Sequence, residues 1–470
     1  MKRKTVSLCM IARNEEASIG QAIKSALAVV DEIIVGDTGS DDNTRLIAEG
    51  YGAKVIDVPW DDDFAAARNS VLDEASCDWV LILDADERLQ PVRPVEFQKM
   101  LAEDAVSGYK VNVVEMSETG QEKTDVQTRV YRNHPYVRYC YPIHETIDVA
   151  LENWSAAREL DVAPSRLRIV HTTADHGRAT GRIERNRRLL RDACREYPYE
   201  PYFAYCLASE SLSRLDGEVL PAPGLAISTA QMAKAWHIVE GMSANAVMDL
   251  SYGPHLAGLL SACYIAVGQT QKALDTVWSG LEIFPDSTYL LFRRAVAIAQ
   301  HLERGDDHGL TCVTVASLRK LAEKDLGDCL ASAPKDTRDV DERWRWLLPH
   351  RYLASLRLLD QDIDGALVHY TRSLELDQRY SHGWSGKAEC VRRAGEDRRA
   401  LGYYLRAVTL DDRNLDAWLR GGEILEILGF TDNARSWRRR ARELFPEHPA
   451  FQSGRPWLDD LVLSVMEPTS

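Results

Sequence analysis

Two carboxylates that follow an apolar run are the residues in this sequence best suited to bind a cation. Residues 79–83 are all apolar, and Asp84 and Asp86 come directly after them with Ala85 between. Because side chains alternate along a strand, the two acids are predicted to point to the same side. Such a pair at the carboxyl end of a buried strand can bind a hard divalent cation. The alternative is a solvated loop after a core strand.

The surrounding sequence predicts the elements that would position these acids. Strands are expected at residues 6–12, 32–36, 53–58 and 79–83, with helices between them whose apolar residues recur at spacings of three and four. Alternating strands and helices favour a parallel sheet with right-handed crossovers. The carboxyl ends of its strands share one edge, so the three polar loops after the first, second and fourth strands should line one cleft.

Arg68 is expected near the buried side of a helix at residues 64–75. A buried arginine is rarely left without a partner. It could form an ion pair with Asp62 or Asp73, or it could face the cleft beside Asp37.

The second half of the chain has a different pattern, with a period of 34 residues. The period is seen in Ala366, Ala400 and Ala434, and again in leucines ten residues after each of them. This period predicts helical hairpins of the tetratricopeptide type. The predicted domains are an α/β domain at 1–180, linking helices and first repeats at 181–300, an irregular or degenerate segment at 301–345, and C-terminal repeats at 346–460.

Composition and charge argue against several classes of partner. The 470 residues are 45% hydrophobic and 27% charged, with a net charge of −15. A net negative charge disfavours nucleic acids and anionic membranes, so we expect no nucleic-acid partner. No apolar run approaches the roughly 18 residues of a membrane helix, so no transmembrane segment is expected. Nine cysteines without a C-x-x-C pair indicate a reduced, cytoplasmic protein.

Three stretches of the first half, taken together, resemble a known family. Residues 11–16, 31–42 and 79–87 are similar in order and spacing to family 2 glycosyltransferases of the GT-A fold, and a looser similarity covers residues 5–180. Chains that join such a domain to tetratricopeptide repeats resemble bacterial flagellin and peptide glycosyltransferases. The resemblance implies a Rossmann-like α/β GT-A domain with a mostly parallel sheet, followed by an all-α solenoid of repeats.

The resemblance also implies roles for particular residues. Asp84 and Asp86 match the motif that binds Mg²⁺ or Mn²⁺ and the diphosphate of a nucleotide-sugar, usually a UDP-sugar, with Asp86 as the direct metal ligand. His171 matches a late histidine near the metal, although it could instead be a satisfied core residue. The remaining residues implied in nucleotide binding are Ala12, Arg13, Asn14, Glu15, Asp37 and Arg68.

Inverting transfer also needs a base on the acceptor's side. Glu145 is the best residue for deprotonating the acceptor, with His144 beside it to orient the acceptor or a phosphate. Glu145 could instead pair with one of three arginines. These are Arg129, Arg132 and Arg138. Asp175 and His176 are further possible bases or ligands.

Seven arginines lie between residues 178 and 195. If this segment is a helix, one face of it could contact the diphosphate or an acidic acceptor. The alternative is the solvated surface of a linker.

Three hypotheses about function follow. The chain could transfer a sugar to a protein, with flagellin serine or threonine as the leading acceptor and the cysteine of a small peptide as an alternative. It could modify a cell-envelope saccharide or lipid, or it could be an inert scaffold. The concave surface of a repeat array suits an extended polypeptide, which favours a protein acceptor. The repeats could also form a homo-oligomer.

Overall fold

The computed structural model describes most of the chain, and its contacts group into two units, Met1–Glu210 and Ser211–Ser470. The described residues are 3–116, 122–171, 179–212, 214–215, 218–219, 224–243, 246, 250, 252–303, 312–332 and 343–445.

An eight-stranded mixed sheet forms the centre of the first unit, in the order β3-β2-β1-β4-β7-β6-β8-β5. Strands β1 to β4 are parallel, β7 is antiparallel to both β4 and β6, β8 is parallel to β6, and β5 is antiparallel to β8. The strands are β1 (Val6–Ala12), β2 (Glu32–Asp37), β3 (Lys54–Asp57), β4 (Trp79–Ile82), β5 (Glu87–Leu89), β6 (Val106–Met116), β7 (Glu122–Arg132) and β8 (Asp161–His171).

Helices cover this sheet with apolar faces that the sequence spacing predicts. Helix α1 buries Ile19, Ala22, Ile23 and Ala26, which recur at intervals of three, one and three residues. Helix α3 begins where Asp63 accepts a hydrogen bond from the Ala66 amide at 2.8 Å. The helices on the sheet are α1 (Ile19–Ala26), α2 (Thr44–Gly50), α3 (Phe64–Leu72), α4 (Pro94–Leu101) and α5 (Asp148–Ala156). Two further helices, α6 (Ala179–Glu196) and α7 (Pro201–Ser211), pack together with the loop around Ile143.

The four predicted parallel strands are confirmed, but the last of them is shorter than expected. Strand β4 ends at Ile82, and the Glu87 amide donates to the Asp84 carbonyl at 3.0 Å in the turn that follows. The prediction that strand alternation aligns Asp84 and Asp86 is therefore wrong, because both lie in a turn. Register still brings the loops together, since Asp37 lies opposite Ala12 and Ile82 opposite Cys9.

Among its described residues, the second unit is built of helices, apart from one pair of short strands, β9 (Arg214–Leu215) and β10 (Glu218–Val219). The helices are α8 (Leu225–Glu240), α9 (Gly253–Ala266), α10 (Thr270–Ile283), α11 (Thr288–Glu303), α12 (Cys312–Ser332), α13 (Arg343–Trp346), α14 (Leu348–Leu359), α15 (Ile363–Leu376), α16 (Ser381–Arg393), α17 (Asp397–Leu410), α18 (Leu415–Ile427) and α19 (Thr431–Leu444). Within the described residues, no helix is long and apolar enough to cross a membrane.

The 34-residue period is the repeat of a helical hairpin. Helices α15, α17 and α19 each have 14 residues and begin one period apart. The small residues Ala366, Ala400 and Ala434 are buried where each of these helices packs on its neighbours. The predicted solenoid is thus confirmed. Segment 301–345, predicted to be irregular or degenerate, contains the 21-residue helix α12.

The packing inside one repeat can be tested at Gly386 of α16. A Cβ atom there would overlap the ring of Tyr370, which is buried in α15, whereas a Cβ at Gly402 of α17 meets nothing within 4 Å. We expect Gly386→Ala to lower the free energy of unfolding by about 2 kcal/mol through overpacking. The control, Gly402→Ala, should raise it by about 0.5–1 kcal/mol, because alanine favours helix. Urea unfolding followed by helical circular dichroism measures both, and equal effects would contradict this packing.

Candidate active site

A cleft of about 440 Å³ lies at the carboxyl ends of β1, β2 and β4. Most of the residues singled out from the sequence line it. They are Ala12, Arg13, Glu15, Arg68, Asp84, Asp86, His144, Glu145 and His171. The rest of the lining was not named residue by residue among the predicted site residues, although Arg182 and Arg185 belong to the arginine-rich segment. These residues are Ile11, Thr38, Trp60, Phe64, Ala85, Ile143, Arg182, Arg185 and Asn186.

Asp84 is held by two buried arginines. Its Oδ1 accepts from Arg68 Nη2 at 2.8 Å, and its Oδ2 accepts from Arg129 Nη2 at 3.3 Å. Burial alone would raise the pKa of the Asp84 carboxyl, but the charges of Arg68 and Arg129 outweigh it and hold that pKa well below its usual range. Arg129 also donates to Glu87 Oε1 at 2.7 Å, and burial raises the pKa of Glu87. Both oxygens of Asp84 are therefore engaged by guanidinium groups.

Arg68 joins Asp84 to Glu145. Its Nε donates to Glu145 Oε1 at 2.7 Å, and the arginine is only 8% exposed. Both predicted ion pairs for Arg68 are wrong, since Asp62 pairs with Arg188 and Asp73 with Arg138. The actual partners are Asp84 in the β4–β5 turn and Glu145, which lies 77 residues after Arg68 in the chain. The spacing of residues within one helix cannot reveal such distant partners.

The three arginines proposed as alternative partners for Glu145 are bonded elsewhere. Arg129 binds Asp84 and Glu87, and Arg138 binds Asp73. Arg132 donates to three backbone carbonyls. They belong to Glu103, Asp104 and Val106. Glu145 therefore stays in the cleft, with its orientation set by Arg68.

The loop that carries His144 and Glu145 is a tight excursion of the backbone. Cys140 and Thr146 exchange backbone hydrogen bonds at 3.0 and 3.1 Å, and Tyr141 and His144 between them have φ angles of 76° and 52°. Left-handed conformations of this kind are strained for side-chain-bearing residues and cluster at functional sites. The cleft walls partly desolvate His144 and so lower its pKa, although solvent reaches the ring.

Asp86, the second acid of the Asp84-Ala85-Asp86 motif, contacts His171, whereas Arg68 contacts the first acid. His171 Nε2 lies 2.8 Å from Asp86 Oδ2. The pairing of β5 with β8 causes this, because it places Glu87 opposite His171. The hydrogen bond to Asp86 raises the pKa of His171, and burial opposes it only in part. His171 lines the cleft, so it is not a buried core residue.

A divalent cation would find two protein ligands at this point. No group of three or more acidic, histidine or cysteine side chains converges in the described part of the chain. The Asp86 carboxylate nevertheless suits Mg²⁺ or Mn²⁺, because both ions prefer oxygen ligands, and Mg²⁺ commonly takes its remaining ligands from water and a substrate's phosphates.

Asp37 and Asn14 brace the loops of the cleft. Asp37 Oδ1 accepts from the amide and the hydroxyl of Ser40 at 3.0 and 2.7 Å. Asn14 donates its amide to Ser40 Oγ at 3.0 Å, and its side-chain oxygen accepts from the Asp41 amide at 2.7 Å. Neither residue lines the cleft. These bonds shape the two loops, and a direct role in binding a nucleotide stays a prediction.

Helix α6 forms a wall of the cleft, so of the two alternatives for the arginine-rich segment, part of it lies at the cleft and part on the surface. Arg188 makes two hydrogen bonds with Asp62, at 2.6 and 2.7 Å, and Arg185 lies over the ring of Phe64 at 5.1 Å. The arginine-rich composition was the available signal, but it does not say which arginines face inward. Asp175 and His176, the further possible bases, lie outside the described residues.

Comparison with known proteins agrees with this geometry. Residues 7–149 match the family model "Glycosyl transferase family 2". The chain is 35% identical over 201 residues to a TPR repeat-containing protein of Synechococcus elongatus, which covers 42% of this chain and 50% of that one. It is 37% identical over 118 residues to an uncharacterized glycosyltransferase of Rickettsia typhi, covering 24% and 39%.

A third relative is a lipopolysaccharide core biosynthesis glycosyltransferase of Rhizobium meliloti. It is 32% identical over 112 residues, which cover 23% of this chain and 41% of that one. The chain thus spans half or less of the length of each of these relatives.

Similarity to solved structures is weaker. A tetratricopeptide repeat protein from Parabacteroides merdae is 15% identical with a TM-score of 0.39, covering 58% of this chain and 91% of that one. Glucosyl-3-phosphoglycerate synthase from Mycobacterium tuberculosis is 24% identical with a TM-score of 0.28, covering 37% and 73%. Similarity at this level supports no inference about ligands. The family match and the sheet make the first unit a family 2 glycosyltransferase domain. The helical period identifies the helices that follow it in the same chain as tetratricopeptide-like.

Proposed function

We propose that this chain is a metal-dependent inverting glycosyltransferase that moves a sugar from a nucleotide-sugar, with UDP as the expected nucleotide, to a protein. The observation that carries the proposal is that one cleft contains both the Asp86–His171 pair and Glu145. The first can serve a donor diphosphate, and the second an acceptor.

Asp86 and His171 are the residues that would hold Mg²⁺ or Mn²⁺. Bound there, the ion would offset the negative charge that develops on the departing nucleoside diphosphate. Asp84, also expected as a metal ligand, is better suited to positioning, because both of its oxygens accept from arginines. Through Arg68 it holds Glu145 in place.

Glu145 would act as the base of a single displacement. The acceptor oxygen forms a bond to the anomeric carbon of the sugar while the bond from that carbon to the diphosphate breaks. The acceptor's proton passes to the Glu145 carboxylate, and the nucleoside diphosphate leaves. Arg68 occupies Oε1 of Glu145, so Oε2 is the atom assigned to receive the proton. His144, beside it, would orient the acceptor.

The acceptor we propose is a protein, with serine or threonine of flagellin as the leading case. A solenoid in the same chain supports this, because such arrays offer extended surfaces to polypeptides. Cytoplasmic location and assembly through the repeats belong to the same proposal. A cell-envelope saccharide is the second candidate, since one relative carries a lipopolysaccharide name. A cysteine-bearing peptide is the third.

Co-expression with a candidate flagellin, followed by intact-mass spectrometry, tests the proposal. We expect the flagellin to gain the mass of one or more sugars, on serine or threonine, only when the enzyme is present. A chain with Asp86→Asn is the control and should add nothing. If purified enzyme turns over sugar nucleotides with envelope saccharides but leaves proteins unmodified, the protein acceptor is wrong.

A further inference from the structure

The arginines of α6 divide into groups with different surroundings. Four have partners in the first unit. Arg187 donates to the Glu210 carbonyl at 3.1 and 2.6 Å, Arg188 pairs with Asp62, Arg191 with Glu184, and Arg195 with Asp192. Arg182 and Arg185, three residues apart on the helix, instead line the cleft. Arg178 lies outside the described residues.

A third arginine, Arg13 of the β1–α1 loop, lies with Arg182 and Arg185. Across the described part of the chain, none of these three forms a salt bridge with a carboxylate, and Arg185 donates only to the neutral Asn186 side chain, at 3.3 and 3.1 Å. Burial lowers the pKa of Arg185, and the charges of Arg182 and Arg13 lower it further, while the charge of Asp62 opposes them only in part. Three like charges therefore share one wall, and a bound anion would relieve their repulsion.

The helix that carries two of these arginines is firmly anchored. Leu189, Leu190 and Ala193 are buried in one cluster with Ile143, which directly precedes His144 and Glu145 in the sequence. The Asp62–Arg188 pair attaches α6 to the loop before α3, and Phe64 lies beneath Arg185. The helix and the Arg185 side chain are thus held in place before any ligand binds, which reduces the entropy lost on binding.

We propose that Arg13, Arg182 and Arg185 bind the diphosphate of the nucleotide-sugar donor. This inference rests on the proposed function and adds to it residues of α6, which lie beyond the 7–149 family match. Guanidinium groups form strong, directional hydrogen bonds with phosphate oxygens. Three of them would hold the donor before transfer and stabilise the diphosphate as it leaves. The β-phosphate, which a monophosphate lacks, is the group they are expected to distinguish.

Calorimetric titration of the full chain in EDTA tests this without metal or turnover. The probes are UDP, GDP, CDP, ADP and dTDP, each beside its monophosphate. For the base that binds best, we expect the diphosphate to bind at least ~10-fold tighter than the monophosphate, because each charge-assisted hydrogen bond is worth about that factor. Arg182→Ala/Arg185→Ala should weaken diphosphate binding by ~10- to 100-fold and change monophosphate binding less than ~3-fold.

Arg195→Ala is the matched control, since it removes the same charge from an exposed site on the same helix. It should change neither affinity. The single variant Arg182→Ala serves if the double variant unfolds, because Arg182 is exposed on the helix. An unchanged preference for diphosphate in these variants overturns the inference while leaving the proposed function intact. If the wild-type chain binds none of the diphosphates, with or without Mn²⁺, both are wrong.

Discussion

Replacing Asp86 with asparagine is expected to reduce sugar transfer by about a thousandfold without unfolding the protein. The carboxylate is one of two side chains assigned to the cation, and metal-ion stabilisation of a transition state is worth several kcal/mol. A loss of about 4 kcal/mol corresponds to about a thousandfold in rate. Asparagine keeps the shape of the side chain and can still accept a hydrogen bond from His171, so the strand pairing around it should persist.

Asp57→Asn is the matched control, because Asp57 lies at the end of β3 in the same unit and its side chain is 81% exposed. It should leave the rate unchanged. Initial rates of nucleoside diphosphate release, measured across a range of Mn²⁺ concentrations, would show the difference. An Asp86→Asn enzyme that keeps near-normal activity in excess chelator would rule out the metal role.

Replacing Glu145 with glutamine is expected to lower kcat by about 10²- to 10⁴-fold, the contribution typical of general-base catalysis. The amide cannot take a proton from the acceptor. Its oxygen can still accept from Arg68 Nε, so the Arg68–Asp84 contact and the donor side of the cleft should be preserved. The affinity for the nucleoside diphosphate should therefore change little.

The test compares turnover with nucleotide affinity in the same variant. Glu152→Gln, an exposed position on α5, is the control and should match the wild type in both. A variant that loses nucleotide binding as much as turnover would show that Glu145 works by holding Arg68, and another base would then be required.

The sequence predicted the regular parts of this molecule well. Apolar runs and helical spacing located the four parallel strands, and small residues 34 apart located the helical hairpins of the second unit. These signals are local, since each element buries a face that its own residues define. The prediction that three loops line one cleft followed from the edge that the strands of a parallel sheet share.

Contacts between distant segments could not be read from spacing. Arg68 was expected either to pair with Asp62 or Asp73 or to face the cleft. It does face the cleft, but its partners there, Asp84 and Glu145, were not foreseen. The meeting of Asp86 with His171 depends on β5 pairing antiparallel with β8, and nothing in a three-residue strand specifies that partner. For the same reason the sequence did not show which arginines of α6 face the cleft, because arginines occur on several sides of that helix.

The position of Mn²⁺ in crystals of the full chain with UDP, located by anomalous scattering, tests the central claim most directly. We expect a single ion at bonding distance from the Asp86 carboxylate and the UDP phosphates, with Asp84 still bound to Arg68. Mn²⁺ bound elsewhere, or UDP bound in the cleft with no ion and with Asp86 still hydrogen-bonded to His171, would contradict it.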